Sequence, residues 1–198
     1  MADTNGVKPQ KQLKTFIVYV EDKPGVLNRV ASLFRRRSFN IDSLTVGTTE
    51  KPGVSRMTIV VDADEITAHH IEAHLYSLVS VLRVDNVTHS DSVERDLTLI
   101  KVRATAETRP AIIQLADVFR GKMVDITNES LIIEVTGPRK KIDAVVDMLR
   151  PFGIIEMART GLVAMSRGPD APMLSPEFVA ARVPEEASTF IPRPVIQR

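Results

Sequence analysis

The chain reads as an α+β protein built from one small unit used twice, and three observations predict it. A strand, helix, strand, strand, helix, strand order runs from Lys14 to about Ser90. The same order returns from Asp96. The helical spacing of Leu27, Val30, Ala31 and Phe34 is repeated 85 positions later by Ile112, Leu115, Ala116 and Phe119. Tandem βαββαβ units of this order suit two ferredoxin-like sandwiches, each with two helices on one face of an antiparallel sheet.

Each element has its own signal. In the first unit Phe16, Val18 and Val20 alternate with Ile17, Tyr19 and Glu21, which predicts a strand over 15–21. Asn40–Thr49 and Val54–Val61 read as strands joined by the turn Glu50-Lys51-Pro52-Gly53. Ile71, Leu75, Leu78, Val79 and Leu82 mark a helix over about 65–80, and 82–89 is extended again. In the second unit Leu97–Ala104 is a strand, and Pro110 sits where a first helical turn tolerates proline. Met123–Thr127 and Leu131–Thr136 form a hairpin turned at Asn128-Glu129. Ile142, Val145, Val146 and Leu149 mark a helix that Pro151 stops, and 154–165 holds the last strand region.

These signals divide the chain into a flexible N-terminus (1–13), a first unit (14–90), a second unit (96–168) and a Pro-rich tail (169–198). Six of the twelve prolines lie between Pro169 and Pro194 and no apolar period survives there, so the tail has no core of its own. Phe178, Phe190 and Ile191 are its candidates for contact with a neighbour.

Composition narrows the function. With 26 basic and 25 acidic residues, the chain has no electrostatic case for nucleic acid or an anionic membrane as partner. It contains no cysteine, which excludes disulfides, thiol nucleophiles and Cys-ligated zinc. No signal core or membrane-spanning run is evident, so a soluble, cytoplasmic protein is expected. His69, His70 and His74 do not follow the H-E-x-x-H order, and no metal site is expected. The phosphate-loop, dinucleotide, nucleophile-elbow and helix-turn-helix patterns are missing as well.

The informative segment is Asp22-Lys23-Pro24-Gly25-Val26-Leu27, a tight turn running straight into a helix. Helix-start N–H groups receive carboxylates, and a glycine there lets a ligand approach the backbone. Asp22 adds an acid suited to an ammonium group. Together they describe a receptor for a free amino acid, although Asp-Lys-Pro-Gly is also simply a good turn sequence. Asn40 and Ile41 open the second strand, which is an edge in this fold and is open to pairing with another copy. Asn40 of one chain would then face the Gly25 turn of the other. Arg35-Arg36-Arg37 fits a solvated helix C-terminus. By the 85-residue offset Gly25 corresponds to Pro110 and Asp22 to Glu107, so the second unit is expected to lack the site.

The chain resembles the small, regulatory subunits of acetolactate synthase (acetohydroxyacid synthase). The resemblance rests on Glu21–Leu27, Phe39-Asn40-Ile41-Asp42-Ser43-Leu44-Thr45-Val46 and Ser55–Val60 in the first unit. In the second it rests on Leu99–Val102, Val118-Phe119-Arg120, Val124-Asp125-Ile126 and Arg159–Gly168. It implies an N-terminal ACT domain that forms a homodimer and binds valine between subunits, with Asp22 to Leu27, Asn40 and Ile41 as ligand residues. It also implies a chain without catalysis of its own. Thiamine diphosphate, magnesium and FAD would belong to a separate catalytic (large) subunit, which the small one activates and subjects to valine feedback in branched-chain amino-acid synthesis. A free-standing amino-acid sensor acting on another partner, and an enzyme with an unrecognised site, are the competing readings.

Overall fold

The computed structural model describes residues 11–168 together with Leu174 and Ala181. Residues 1–10 and most of the tail, including Phe178, Phe190 and Ile191, lie outside the described residues. The first strand begins at Gln12, so Gln12 and Leu13, expected in the N-terminal segment, belong to the sheet.

The first unit runs β1 (Gln12–Glu21), α1 (Val26–Arg36), β2 (Ile41–Thr48), β3 (Val54–Ala63), α2 (Glu65–Tyr76) and β4 (Val81–Asn86). Its sheet has the order β2-β3-β1-β4, with antiparallel neighbours throughout. Phe16, Val18 and Val20 of β1 and Met57, Ile59 and Val61 of β3 face the helices. The other face of β1 is closed too, since Ile17 is as buried as the core. A central strand buried on both faces reads as a continuous apolar run, which Phe16–Val20 is.

The second unit runs β5 (Ser92–Arg103), α3 (Arg109–Val118), β6 (Lys122–Ile126), β7 (Ser130–Gly137), α4 (Arg139–Leu149), β8 (Ile154–Arg159) and β9 (Val163–Ser166). The sheet order is β6-β7-β5-β8, and β9 pairs with β5. A single 3-10 turn, Arg150–Phe152, carries Pro151 and ends α4. The expected final strand region is therefore two strands, broken at Thr160-Gly161-Leu162. The chain divides into two compact units at Asp91/Ser92, and Ser166, Arg167 and Gly168 group with the first. Arg167 accordingly pairs with Asp91 at 3.1 Å.

Three expectations need correction. The buried face of α1 is Val26, Val30, Leu33 and Phe34, while Leu27 and Ala31 are exposed. Both registers fit a helical period, and the turn before the helix selects the one used. α2 stops at Tyr76, so Val79 is exposed and Leu82 lies in β4. The buried residues of the two units also align with an offset that changes along the chain. Phe16, Val18 and Val20 match Ile100, Val102 and Ala104, whereas Val26 and Val30 match Ile112 and Ala116. Gly25 thus corresponds to Ala111 rather than Pro110, and the step from Ala104 to Ile112 is two residues longer than that from Val20 to Val26.

Candidate functional site

Gly25 is the residue that turns β1 into α1. It takes a left-handed conformation, φ 84°, at the N-cap of the helix. A residue with a Cβ is strained at such a φ. The space beside Gly25 is open, because a Cβ placed there would meet nothing within 4 Å. No side chain caps α1, and its first turn holds no acidic residue. The Val26 N–H donates to the Lys23 carbonyl at 3.3 Å. The next two donors, the N–H groups of Leu27 and Asn28, have no intrahelical partner by helix geometry. They lie at the helix start next to Gly25, and such N–H groups can take a carboxylate.

The start of the turn is held in place. The Asp22 N–H donates to the Gly53 carbonyl at 2.8 Å, and the Glu21 N–H to Ser80 at 2.9 Å. Arg29 in α1 donates to the Ser80 hydroxyl at 3.1 Å. Lys23 folds back onto Glu21 at 3.1 Å, so its charge is partly neutralised within the turn. Asp22 is exposed, as are Pro24 and Gly25. Val26, expected among the ligand residues, faces the core instead, and its N–H is used within the turn. Leu27 is 45% exposed and offers an apolar wall.

The structure does not bring Asn40 and Ile41 to this turn within one chain. Glu21 pairs with Val54 at one end of β3, and Ile41 pairs with Val61 towards the other. Seven residues of strand separate those positions, roughly 23 Å. Asn40 is exposed just before β2, and Ile41 packs against the helix-side core. The far end of β2, Thr48 opposite Ser55, lies at the turn's end of the sheet. Val46, opposite Met57, is an exposed β-branched residue near that end of an edge strand. The sequence reading missed it, although an apolar residue on an expected edge strand was its signal.

The corresponding place in the second unit is built differently. Thr105 and Thr108 satisfy the turn between them: the Thr105 N–H donates to the Thr108 hydroxyl at 2.9 Å, and the Thr108 N–H to the Thr105 hydroxyl at 3.3 Å. The Thr105 hydroxyl donates to Glu107 at 2.7 Å, and this bond holds the Glu107 carboxyl below the usual range. Arg109 reaches across to the carbonyls of Thr127 and Asn128 at 2.7 and 2.9 Å. Pro110 removes a donor from the first turn. A groove of about 460 Å³ runs along α3 past Arg109, Pro110 and Ile113.

Among the described residues no group of three or more His, Asp or Glu is placed to hold a metal, and no helix is long and apolar enough to cross a membrane.

Residues 16–83 match the family description "AHAS small subunit-like ACT domain", and residues 95–168 match "Small subunit of acetolactate synthase". The chain belongs to the acetolactate synthase small-subunit family. A probable acetolactate synthase small subunit from Archaeoglobus fulgidus is 53% identical over 154 residues, which cover 78% of this chain and 96% of that protein. The acetolactate synthase small subunit of Mycolicibacterium smegmatis is 50% identical over 78% of this chain and 91% of its own length. A solved acetolactate synthase small subunit from Thermotoga maritima superposes with a TM-score of 0.74 at 44% identity, covering 79% of this chain and 98% of that one. As a small subunit, the chain is the regulatory partner of a larger catalytic one.

Proposed function

We propose that this regulatory subunit binds free valine at the β1–α1 turn, across a pair of copies, and passes feedback inhibition to the catalytic subunit. The ligand carboxylate lies on the N–H groups of Leu27 and Asn28. Its ammonium pairs with Asp22, and its branched side chain packs on Leu27 and Val46. Asn40 of the second copy closes the site. The observation that carries this reading is the left-handed Gly25 at the start of α1, with open space beside it and no side-chain cap on the helix.

Topology supports the need for a second copy. β2 is an edge strand, and antiparallel pairing with the same strand of a neighbour sets the start of one β2 against the end of the other. Asn40 of the neighbour then arrives at the Thr48 end, where the Gly25 turn lies. One homodimer holds two such sites.

The chain has no catalysis of its own in this reading and acts in the cytoplasm. Thiamine diphosphate, magnesium and FAD serve the catalytic subunit, whose rate this chain raises. The test is reconstitution. The pure chain makes no acetolactate, its addition raises the rate of the catalytic subunit, and valine reverses the gain. Product formed by this chain alone, or a rate indifferent to its addition, would refute the proposal.

A further inference from the structure

The family match ends at Gly168, and the extension beyond it has no counterpart in that match. Leu174, a described residue of the extension, is buried. Leu174 is 6% exposed and packs with Val54 and Leu82, with Tyr19 against them, in a cluster separate from the helix-side core. The Lys51 ammonium donates to the Leu174 carbonyl. The contact therefore spans β3, β1 and β4 and takes in the β2–β3 turn.

The position within the sheet gives the contact its meaning. Val54 pairs with Glu21, the last residue before the candidate ligand turn. Gly53, next to Val54, accepts the Asp22 N–H, and Ser80, two residues before Leu82, accepts the Glu21 N–H. The two strands that Leu174 joins are thus the two that hold the root of the turn, one on each side. A buried leucine across them resists their separation, and separation would release both hydrogen bonds.

We propose that Leu174 docks on the outer face of the first sheet and clamps the root of the β1–α1 turn. The occupant of the recess is this chain's own Leu174, which is already seated there with its carbonyl held by Lys51. The bearing of the clamp on a ligand rests on the amino-acid reading of the turn; the clamp itself does not.

Hydrogen exchange on the full chain tests it, with Leu174→Asp, Leu174→Met and a chain ending at Gly168. The Asp variant and the shortened chain should exchange at least about tenfold faster at Asp22, Val54 and Leu82. The Met variant should keep the wild-type rates, since it fills similar volume. Unchanged rates in both the Asp variant and the shortened chain would overturn the clamp. Wild-type protection lost on dilution would also overturn it, by placing another copy's extension in the recess. Valine titration is run beside it. A wild-type chain that binds no valine sinks the effector reading, while the exchange rates still decide the clamp.

Discussion

The turn from β1 to α1 and the turn from β5 to α3 do the same structural task in two copies of one unit. The first uses four residues and a glycine at φ 84°. The second uses five, and its threonines bond to one another. Arg109 and Pro110 then fill or remove what a ligand would use. Both turns lead into helices that bury equivalent residues, Val26 and Val30 in one and Ile112 and Ala116 in the other. Neither helix start has a side-chain cap. The difference lies in the leftover donors: at α3 the Arg109 N–H is bonded to the Thr105 carbonyl at 3.0 Å and Pro110 has none, whereas Leu27 and Asn28 of α1 keep theirs, and donors retained beside an open glycine point to function.

The largest expected effect comes from filling the open turn. Gly25→Asp puts a carboxylate where the ligand carboxylate belongs and strains a left-handed residue. Like charges at contact distance repel by about 1 kcal/mol in water and about 4 at an effective dielectric of 20. Valine binding should weaken by about a hundredfold or more. Activation of the catalytic subunit should persist, because Val26, Val30, Leu33 and Phe34 are untouched. Inhibition of the reconstituted enzyme, titrated with valine, measures the effect. A folded, dimeric Gly25→Asp protein with wild-type inhibition would place the site elsewhere.

Asn40→Ala should act in the same direction but less, about tenfold, since one hydrogen-bonding side chain is lost. Mixed dimers sharpen the comparison. A dimer of one Gly25→Asp chain and one Asn40→Ala chain retains one intact site, formed by Gly25 of the second chain and Asn40 of the first. Calorimetry should find half the wild-type sites at wild-type affinity. If no tight site survives in the mixed dimer, Gly25 and Asn40 act within one chain, against the register of the sheet.

Much of this was legible in the sequence, for identifiable reasons. The repeat and both hairpins show because periods of 3.6 and 2 are local. The Gly25 turn shows because Pro and Gly between a strand period and a helix period are local punctuation. The face of α1 was misassigned because Val26 and Leu27 are adjacent and both apolar, so either register gives an amphipathic helix. Val79 and Leu82 extended α2 on paper by the same ambiguity, and the turn after Tyr76 decided against it. The separation of Asn40 from Gly25 is a property of strand order and register, which periodicity does not carry. Leu174 was hidden because a single anchor in a Pro-rich stretch makes no pattern.

A smaller effect tests the second unit directly. Hydrogen exchange with and without valine should show protection at 22–28 and 40–41 and none at 104–114. Pro110→Gly should not create a second site, because Thr105, Thr108 and Arg109 still occupy the turn. Valine protection of Ile112 in either protein would break the distinction between the units.

The smallest expected effect is a difference in acid stability, and it comes from the other helix of each unit. Asp64 caps α2 by accepting from the Thr67 N–H at 2.7 Å, and this backbone bond lowers its carboxyl pKa. Glu65 accepts from Lys14, whose side chain is fully buried, and from His89 at 3.1 Å. The Lys14 bond is the main cause of its lowered pKa. Pro138 opens α4 with neither a side-chain cap nor an acidic first turn. A carboxyl with a lowered folded pKa stabilises fully above its unfolded value, about 4, and loses that contribution as pH falls through the folded one. The first unit should therefore loosen more than the region around α4 on acidification from pH 5 to 3. Glu107 gives the β5–α3 turn a change of the same sign, so the contrast is read at α2 and α4. Glu65→Gln should lower stability at pH 7 and flatten its acid dependence, because the charge facing Lys14 is gone at every pH. Thermal melts of both proteins across that range, with exchange rates at Ala68 and Ile142, measure the difference. Equal acid slopes in the wild type and Glu65→Gln would show that Lys14 draws its compensation from elsewhere.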